Sequence, residues 1–562
     1  MPKRKRGLTE EEIRKLLQEL EDENYGDSES DCELDIENGS DSEHEDMENT
    51  SNILTNSANY SDEQTNNMDE ISLDTKFEWL EPKADDKVRV LNFIGRNDVK
   101  GLASQATKEI EFFKSLFRQN IIEKIVKETN RYAEQILQKN SSFSPELETK
   151  KHTIAWKDIN GNEFLKFLSL TLLMGHIQKD KLKDYWSTDE MLETPFFKKA
   201  ISRDRFLQIL RFLHFEDNMS PPDRNDPSYD RFWKIRDIFE HLKNNFKDVY
   251  EPSEELAVDE VIVLFKGRVI FKQYIPKKHK RFGIKIYKLA DRHGYTYDMK
   301  VYLGRDSYES KNGKSAAHNT VIALAECVKG KGHKLFMDNF FSSPDLFHEL
   351  LHNYKINSCG TIRCNRKNYP KLNAGIRMQK GQIKIKFSSG MTAACGKDKR
   401  EVFMLSNMHN PIATYDETDK PEIVATYNKN MGFVDLSDRM ANSYTFGRKT
   451  LKWTKKIFFH LLDLSILNSF ILYKMKIADV PFADFRKNLI NQLINDSEAA
   501  SISSTRVSDT ISLTGHWPIQ NKTPRRCVAC QKNGIRKRSI LNTIAKNLTV
   551  LAYFSVSVHG KQ

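Results

Sequence analysis

The chain has 562 residues, 30% of them charged and 39% hydrophobic, which is too long for a single hydrophobic core. Its formal net charge is +10, although the serine-rich segment from Glu21 to Glu48 is densely acidic, so the remainder is strongly basic. An acidic tail on a basic body favours a nucleic acid as partner, with a merely solvated charged surface as the alternative. The cysteines are scattered, which argues against a secreted, disulfide-stabilised protein.

The N-terminal region, residues 1–85, predicts a disordered acidic tail because it is polar, acidic and poor in apolar residues. It begins "MPKRKRG", a basic cluster that no apolar segment follows, so it does not resemble a secretory signal. A short basic cluster of this kind is typical of nuclear import, and we expect the protein in the nucleus.

Residues 86–250 read as an all-helical domain. The segment "EIEFFKSLFRQNIIEKIVKETNRYAEQIL" places Phe113, Phe117, Ile121 and Ile125 on one face at helical spacing. Similar apolar spacing recurs in "GNEFLKFLSLTLLMGH" and "SRDRFLQILRFLHF", separated by turn-rich pieces.

The pattern changes to β-structure near Leu256. Segments such as "ELAVDEVIVLF", "FGIKIYKLAD" and "YTYDMKVYLG" alternate or are apolar throughout, as strands do. A helix and a short apolar strand ending at Met337 follow, and a second β-rich region runs to about Met408, where "REVFMLS" is expected to pair with "MTAAC". Strands and helices together predict an α/β core.

The segment Ile457 to Met475 is apolar enough to suggest a membrane span. It contains His460, Asp463 and Asn468, and lysines flank it closely. These polar residues favour a helix packed inside a large domain, and no contact with a membrane is expected.

Three aspartates lie in similar apolar settings. Asp259 is in the middle of an apolar strand, Asp338 ends a short strand before a helix, and Asp435 lies near a helix start with Asp438 on the same face. An ionised carboxylate among apolar neighbours needs a partner, and hard oxygen ligands suit Mg²⁺ or Mn²⁺. The alternative for each is an Asx-turn or a helix cap, and spacing alone does not select these three among 78 acidic residues.

Long segments of the chain, in order, resemble the piggyBac transposase family over roughly Phe112 to Met475. They are "RFLQILRFLHF", "VDEVIVLFKGR", "KQYIPKKHKRFGIKIYKL", "LFMDNFFSS", "YNKNMGFVDLSDRM" and "RKTLKWTKKIFFHLLDLSILNSFILY". The resemblance implies a multidomain DNA transposase with a helical N-terminal domain and an α/β RNase H-like catalytic core interrupted by a β-rich insertion domain.

In that family three aspartates bind two divalent cations, Mg²⁺ or Mn²⁺, and they match Asp259, Asp338 and Asp435, with Asp438 at a further acidic position. The implied chemistry cuts one strand at a transposon end with water, and the freed 3′-hydroxyl attacks the opposite strand to form a hairpin. The hairpin is then opened, and the excised element is joined to a TTAA target. The implied partners are double-stranded DNA, as transposon ends and target, and a second copy of the chain in a homodimer.

The composition and the resemblance together divide the chain into seven segments. They are the tail 1–85, the helical dimerisation and DNA-binding domain 86–250, the first part of the RNase H-like core 251–350, the β-rich insertion 351–428, the second part of the core 429–480, a helix and Ser/Thr-rich linker 481–515, and a truncated cysteine-rich remnant 516–562.

Phosphate contacts are expected from a basic run between Lys266 and Arg292, with ten lysines and arginines and one acidic residue, and from the insertion. The predicted DNA-binding residues are Lys266, Arg268, Lys277, Lys278, Lys280, Arg281, Lys285, Arg363, Arg366, Lys367 and Trp453. Trp453 matches a family tryptophan that would stack on a base, and core packing is its alternative. For the basic run, the alternative is a solvated surface.

The C-terminal segment departs from the family's zinc-binding, cysteine-rich module. Cys527 and Cys530 form a first CxxC pair, but the further cysteine and histidine ligands expected after Arg538 are missing, and His559 is the one possible ligand there. Two thiolates cannot complete a four-coordinate structural zinc site, so we expect no stoichiometric zinc and a disordered or loosely helical segment after about Gly515.

Two functions therefore remain open. The first is a transposase with intact nuclease chemistry, which the three aspartates favour. The second is a domesticated, non-catalytic protein that binds DNA or chromatin with little sequence preference, which the incomplete C-terminal module favours.

Overall fold

The computed structural model describes residues 77–143, 156–226, 229–276, 280–304, 313–372, 378–411, 420–447, 450–508, 516–520 and 543–547. Two compact units make up the chain, Met1–Ile494 and Asn495–Gln562. The α-helices are α1 (Glu109–Leu116), α2 (Gln119–Phe143), α3 (Gly161–His176), α4 (Pro195–Ala200), α5 (Arg203–Phe212), α6 (Trp233–Asp248), α7 (Ala316–Ala325), α8 (Pro344–His352), α9 (Glu422–Asn430), α10 (Phe433–Ala441), α11 (Trp453–Lys476) and α12 (Phe482–Ser508).

The predicted helical region before Tyr250 is confirmed in the described residues. The apolar stripe predicted from the sequence is buried, and Phe113, Phe117 and Ile125 are each 0% exposed. The stripe runs over two helices, because α1 ends at Leu116 and α2 begins at Gln119.

A central mixed sheet follows these helices. Its strands are β1 (Glu255–Leu264), β2 (Lys272–Tyr274), β3 (Phe282–Asp291), β4 (Thr296–Val301), β5 (Lys334–Met337), β6 (Asn357–Thr361), β7 (Ile383–Ser388), β8 (Met391–Lys397) and β9 (Glu401–Ser406). They lie in the order β2-β3-β1-β5-β6-β9-β8-β7, and β4 also pairs with β3. Strand β1 is antiparallel to β3 and parallel to β5, and β5 is parallel to β6.

The β-rich segment between Asp338 and Asp435 extends this same sheet. The predicted pairing of "MTAAC" with "REVFMLS" is confirmed, with Cys395 opposite Phe403. Strand β9 pairs with β6, which itself lies beside β5 in the middle of the sheet. The boundary expected at residue 351 therefore differs from the structure, because β6 joins the core strands before the additional strands begin.

An extended strap, residues 77–100, runs along the same unit. Leu80 and Phe387 exchange backbone hydrogen bonds of 3.0 and 2.9 Å, and the Trp79 indole donates to the carbonyl of Asn368 at 2.9 Å. The predicted tail ends at residue 85, whereas residues 77–85 are held by these contacts. Residues 1–76 lie outside the described residues.

Helix α11 is long and apolar enough to cross a membrane by length and composition. However, 89% of its most apolar window is buried inside the protein. The side chains of His460, Asp463 and Asn468 are all buried within it. This burial agrees with the sequence interpretation of α11 as a core helix.

In the second unit, strands β10 (His516–Gln520) and β11 (Thr543–Asn547) pair antiparallel, with Trp517 opposite Lys546. These ten residues differ from the disordered or loosely helical segment that was expected. Cys527 and Cys530 lie outside the described residues, so the zinc prediction stays a prediction.

Buried histidines make the stability of the fold sensitive to acid. Burial lowers the pKa values of His214, His333 and His409 to about 4. Between pH 6.5 and 4 the unfolded chain binds protons that the folded chain does not, so the free energy of unfolding falls as the pH falls. Asp463, whose pKa is raised by burial to about 6, acts in the opposite direction.

A variant isolates one of these contributions. We expect His333→Gln to lose less stability than the unmodified protein between pH 7 and pH 5, by about 2 kcal/mol. Urea-unfolding midpoints at the two pH values measure this. An equal shift in both proteins would contradict the assignment.

Candidate active site

The strand register brings Asp259 and Asp338 side by side. In the parallel pair of β1 and β5, Val258 is aligned with Met337, so the residues that follow them are adjacent on neighbouring strands. Aligned residues of paired strands point to the same face of a sheet. Both aspartates are half-buried. The register therefore places two of the three predicted aspartates next to each other in the backbone, Asp259 within β1 and Asp338 directly after β5.

Asp338 also builds the turn between β5 and α8. Its Oδ1 accepts a hydrogen bond from the backbone N–H of Phe340 at 3.0 Å, and its carbonyl accepts from the Ser342 hydroxyl at 2.9 Å. Ser343 then caps α8 and Pro344 opens it, as predicted. The Asx-turn alternative is thus realised, but it does not exclude a metal ligand, since a carboxylate can accept about four hydrogen bonds.

Gly360 on β6 allows this turn to pack closely. A Cβ atom at that position would lie 2.4 Å from the carbonyl oxygen of Met337 and 2.5 Å from the Ser342 hydroxyl. Both distances are far below van der Waals contact, so a larger residue at Gly360 would displace the turn that holds Asp338.

Tyr427 on α9 is a site residue that the sequence analysis missed. Its hydroxyl lies 3.5 Å from Thr361 Oγ1. Burial, together with the charges of Asp338 and Asp259, raises the pKa of Tyr427 to about 12. Both carboxylates therefore act on one hydroxyl, which places Tyr427 beside the pair. The only sequence signal is its position in the "YNKNMGFVDLSDRM" segment.

Helix α10 packs against β1 and β3 and carries the other two acidic candidates. Asp435 lies in its first turn and is exposed. Asp438 is half-buried, with its Oδ2 3.6 Å from Lys280 Nζ and its Oδ1 accepting from the Asn442 amide at 2.8 Å. The helix thus brings these residues to the same part of the sheet, but Asp438 already has a cationic partner.

The donor chemistry fits a hard divalent cation in part. Asp259 and Asp338 supply carboxylate oxygens, which are the ligands that such an ion prefers. Among the described residues, however, no group of three or more His, Cys, Asp or Glu side chains is close enough to hold a metal ion. The pair would hold the cation, and the third ligand is not assembled beside it.

The predicted DNA-contact residues fall into distinct groups. The exposed ones are Lys266, Arg268, Arg281, Arg363 and Lys367. Lys277 and Lys278 lie outside the described residues.

Other predicted contacts have partners within the protein. Lys280 lies near Asp438, as described above. Lys285 Nζ is 3.8 Å from Glu260 Oε2 and lies over the Phe340 ring, and its side chain is only 11% exposed. The Arg366 guanidinium donates to the carbonyls of Asn339 and Phe340, at 2.5 and 3.1 Å. Arg366 therefore ties the segment after β6 to the turn of Asp338, where it has a positioning role.

Trp453 is 8% exposed at the start of α11. Its indole packs against Phe232 and Phe271, with ring centroids 5.5 and 5.3 Å away. This is the core packing that the sequence analysis kept as the alternative. Stacking on a DNA base stays a prediction that would require the indole to leave these contacts.

An open cleft of about 540 Å³ borders the turn of Asp338. Asn339 and Thr361 line it on the side of the carboxylate pair, and Arg363 lines it with residues of β9. A concave surface that includes Asn339, the neighbour of Asp338, and an exposed arginine can receive a phosphate backbone.

Comparison with known proteins agrees with this architecture. The family model described as Transposase IS4 matches residues 108–470. Human PiggyBac transposable element-derived protein 2 is 25% identical over 464 residues, which are 77% of this chain and 74% of the relative. Human PiggyBac transposable element-derived protein 5 is 20% identical over 417 residues, 70% of this chain and 76% of the relative.

A solved structure shows a similar fold. It is the cryo-EM structure of the piggyBac transposase synaptic complex with hairpin DNA, with a TM-score of 0.65 and 24% identity over 79% of this chain and 95% of that chain. The fold is that of a multidomain α/β transposase. The chain belongs to the piggyBac family of transposases.

Proposed function

We propose that the protein is a metal-dependent DNA transposase that cuts and joins strands at transposon ends flanked by TTAA. The juxtaposition of Asp259 and Asp338 on β1 and β5 is the observation that carries this proposal. The strands lie in the order β4-β3-β1-β5-β6. Neighbours among β4, β3 and β1 are antiparallel, whereas β5 and β6 are parallel to β1, and this arrangement supports an RNase H-like core.

In this proposal Asp259 and Asp338 would hold Mg²⁺ or Mn²⁺, and Asp435 on α10 would have to move beside them to supply the third ligand. The bound cations would stabilise the negative charge that develops on the phosphate being cut. The turn bonds of Asp338, the Arg366 tether and Gly360 keep the carboxylate pair in place.

Exposed basic residues would bind the phosphate backbone on either side of the site. Lys266 and Arg268 follow β1, and Arg363 and Lys367 follow β6. Such contacts position the DNA without reading its sequence.

The likeness to a transposase synaptic complex with hairpin DNA supports a hairpin intermediate and two copies of the chain acting together. The basic N-terminal cluster supports action in the nucleus.

The second candidate is a domesticated DNA-binding protein without nuclease activity. The ion pair of Asp438 with Lys280 favours it, since an acidic ligand is already neutralised there. Relatives of this chain are also transposable element-derived human proteins.

Strand nicking with and without divalent cation distinguishes the two. We expect the protein to nick DNA carrying a TTAA-flanked end in Mg²⁺ or Mn²⁺ and to be inactive in EDTA, while binding DNA in both. DNA binding without nicking in any divalent cation would refute the transposase proposal and support the binding protein.

A further inference from the structure

Lys288 on β3 is a buried cation that the proposed chemistry does not use. It is 0% exposed, and its Nζ has no hydrogen-bond partner among the described residues. It belongs by sequence to the basic run between Lys266 and Arg292, from which phosphate contacts were expected, although Lys288 is not one of the residues predicted to make them. Its burial excludes that role in this structure, and a buried ammonium without hydrogen bonds is costly.

The position of Lys288 is next to the carboxylate pair. In the antiparallel pairing of β1 and β3, Lys288 is directly opposite Asp259. Directly opposed residues have Cα atoms about 4.5–5.5 Å apart and side chains on the same face. Lys288 and Asp259 therefore share one face of the sheet. Helix α10 packs on that face, because its Ser437 hydroxyl is hydrogen-bonded to Thr296, which lies opposite Ala290 on β3.

Two charged groups act on Lys288. Burial is the main reason that its pKa is lowered to about 8; Asp438 on α10 acts against this lowering, and Lys280 before β3 adds to it. Lys288 in turn helps to hold the pKa of His460 on α11 well below its usual value, after burial itself. One carboxylate, Asp438, thus faces two ammonium groups, at Lys280 and Lys288.

We propose that Lys288 is a built-in counter-ion of the carboxylate site, which engages Asp438 electrostatically and weakens divalent-cation binding at Asp259 and Asp338. The proposal rests on the proposed metal site and goes beyond it, because it assigns the site an internal competitor. Two like charges brought into one partly buried site repel, so the ammonium and an incoming cation disfavour each other.

The sequence holds a signal for this role. In "FGIKIYKLAD", strand alternation places Lys288 on the same face as Ile284 and Ile286, which are buried. A lysine in that series occupies a position that an apolar residue would fill at lower cost.

The test is calorimetric titration of the full chain with Mn²⁺ in the absence of DNA. We expect Lys288→Met to bind Mn²⁺ about tenfold more tightly than the unmodified protein, and Lys288→Arg, which keeps the charge, to retain the unmodified affinity. Lys288→Met is also expected to raise the melting temperature, because it removes a buried ammonium group that makes no hydrogen bond. Loss of folding is therefore not expected in this variant.

Lys300→Met is the matched control. Lys300 lies on β4, where burial also lowers its pKa, but its register partner is Tyr287, so it points to the opposite face. Unchanged Mn²⁺ affinity in Lys288→Met, or an equal increase of Mn²⁺ affinity in Lys300→Met, would refute the counter-ion role of Lys288. Neither result would argue against the metal site itself. Asp259→Asn is expected to abolish Mn²⁺ binding. If the unmodified protein and Lys288→Met either fail to bind Mn²⁺ or bind it equally well when Asp259 is changed to Asn, both the metal site and the counter-ion role of Lys288 would be refuted.

Discussion

Replacing Asp338 with asparagine is expected to slow DNA strand cleavage about a thousandfold, which corresponds to about 4 kcal/mol of lost transition-state stabilisation. Asparagine keeps the shape of aspartate and can still accept the hydrogen bond from the Phe340 N–H that forms the turn. It removes the negative charge that a divalent cation needs. Single-turnover cleavage of an end-labelled DNA duplex measures the rate, and a gel-shift titration in EDTA should show unchanged DNA binding.

Glu260→Gln is a matched control for this experiment. Glu260 is the neighbour of Asp259 on β1, is half-buried, and has Lys285 within 3.8 Å. Strand alternation directs it to the opposite face of the sheet. We expect it to retain cleavage within a fewfold of the unmodified rate. An Asp338→Asn protein that cleaves at the unmodified rate, or a Glu260→Gln protein equally impaired, would refute the site.

Affinity for DNA is expected to fall by roughly 10³–10⁵ between about 50 and 200 mM salt, as for proteins that make about six to ten phosphate contacts. The reason is that each Lys or Arg that neutralises a phosphate releases condensed counterions, so the logarithm of the binding constant falls linearly with that of the salt concentration. Fluorescence anisotropy with duplex DNA in EDTA measures the slope without interference from cleavage.

Substituting individual basic residues identifies the surface that binds the DNA phosphates. The double variant Arg363→Gln, Lys367→Gln should make the plot of log binding constant against log salt concentration less steep, by the amount expected for about two lost phosphate contacts. The control is Lys474→Gln with Lys476→Gln, two exposed lysines at the end of α11. Lys476 lies about 24 Å along that helix from His460, the residue on α11 on which Lys288 and Lys280 act electrostatically. A flat salt response, or equal loss in the control pair, would show that the predicted residues form only a solvated surface.

Local sequence patterns predicted the elements that carry the site. The caps at Ser343 and Pro344, the apolar strand before Asp338 and the buried helix after Trp453 all follow from short-range preferences, and the structure has them. Turn chemistry and periodicity are properties of a few consecutive residues, so they can be deduced without knowledge of the partners.

Local sequence patterns could not predict which partners individual side chains contact. Arg366 was expected on DNA but donates to Asn339 and Phe340, and Lys285 was expected on DNA but packs with Glu260 and Phe340. A basic run shows where charge is concentrated, whereas burial and pairing depend on strands distant in sequence. Tyr427 was missed for the same reason, because its neighbours come from β1, β5 and β6.

The sequence by itself determined the family resemblance, the helical and β-rich regions, and the three aspartates as candidate ligands. Only the tertiary structure decided which of them meet: the parallel register of β1 and β5 joins Asp259 to Asp338, while α10 leaves Asp435 exposed and Asp438 against lysines. It also decided that Lys288 is an interior charge. Register and burial arise from packing between segments far apart in the chain, and no local pattern encodes the free energy of those contacts.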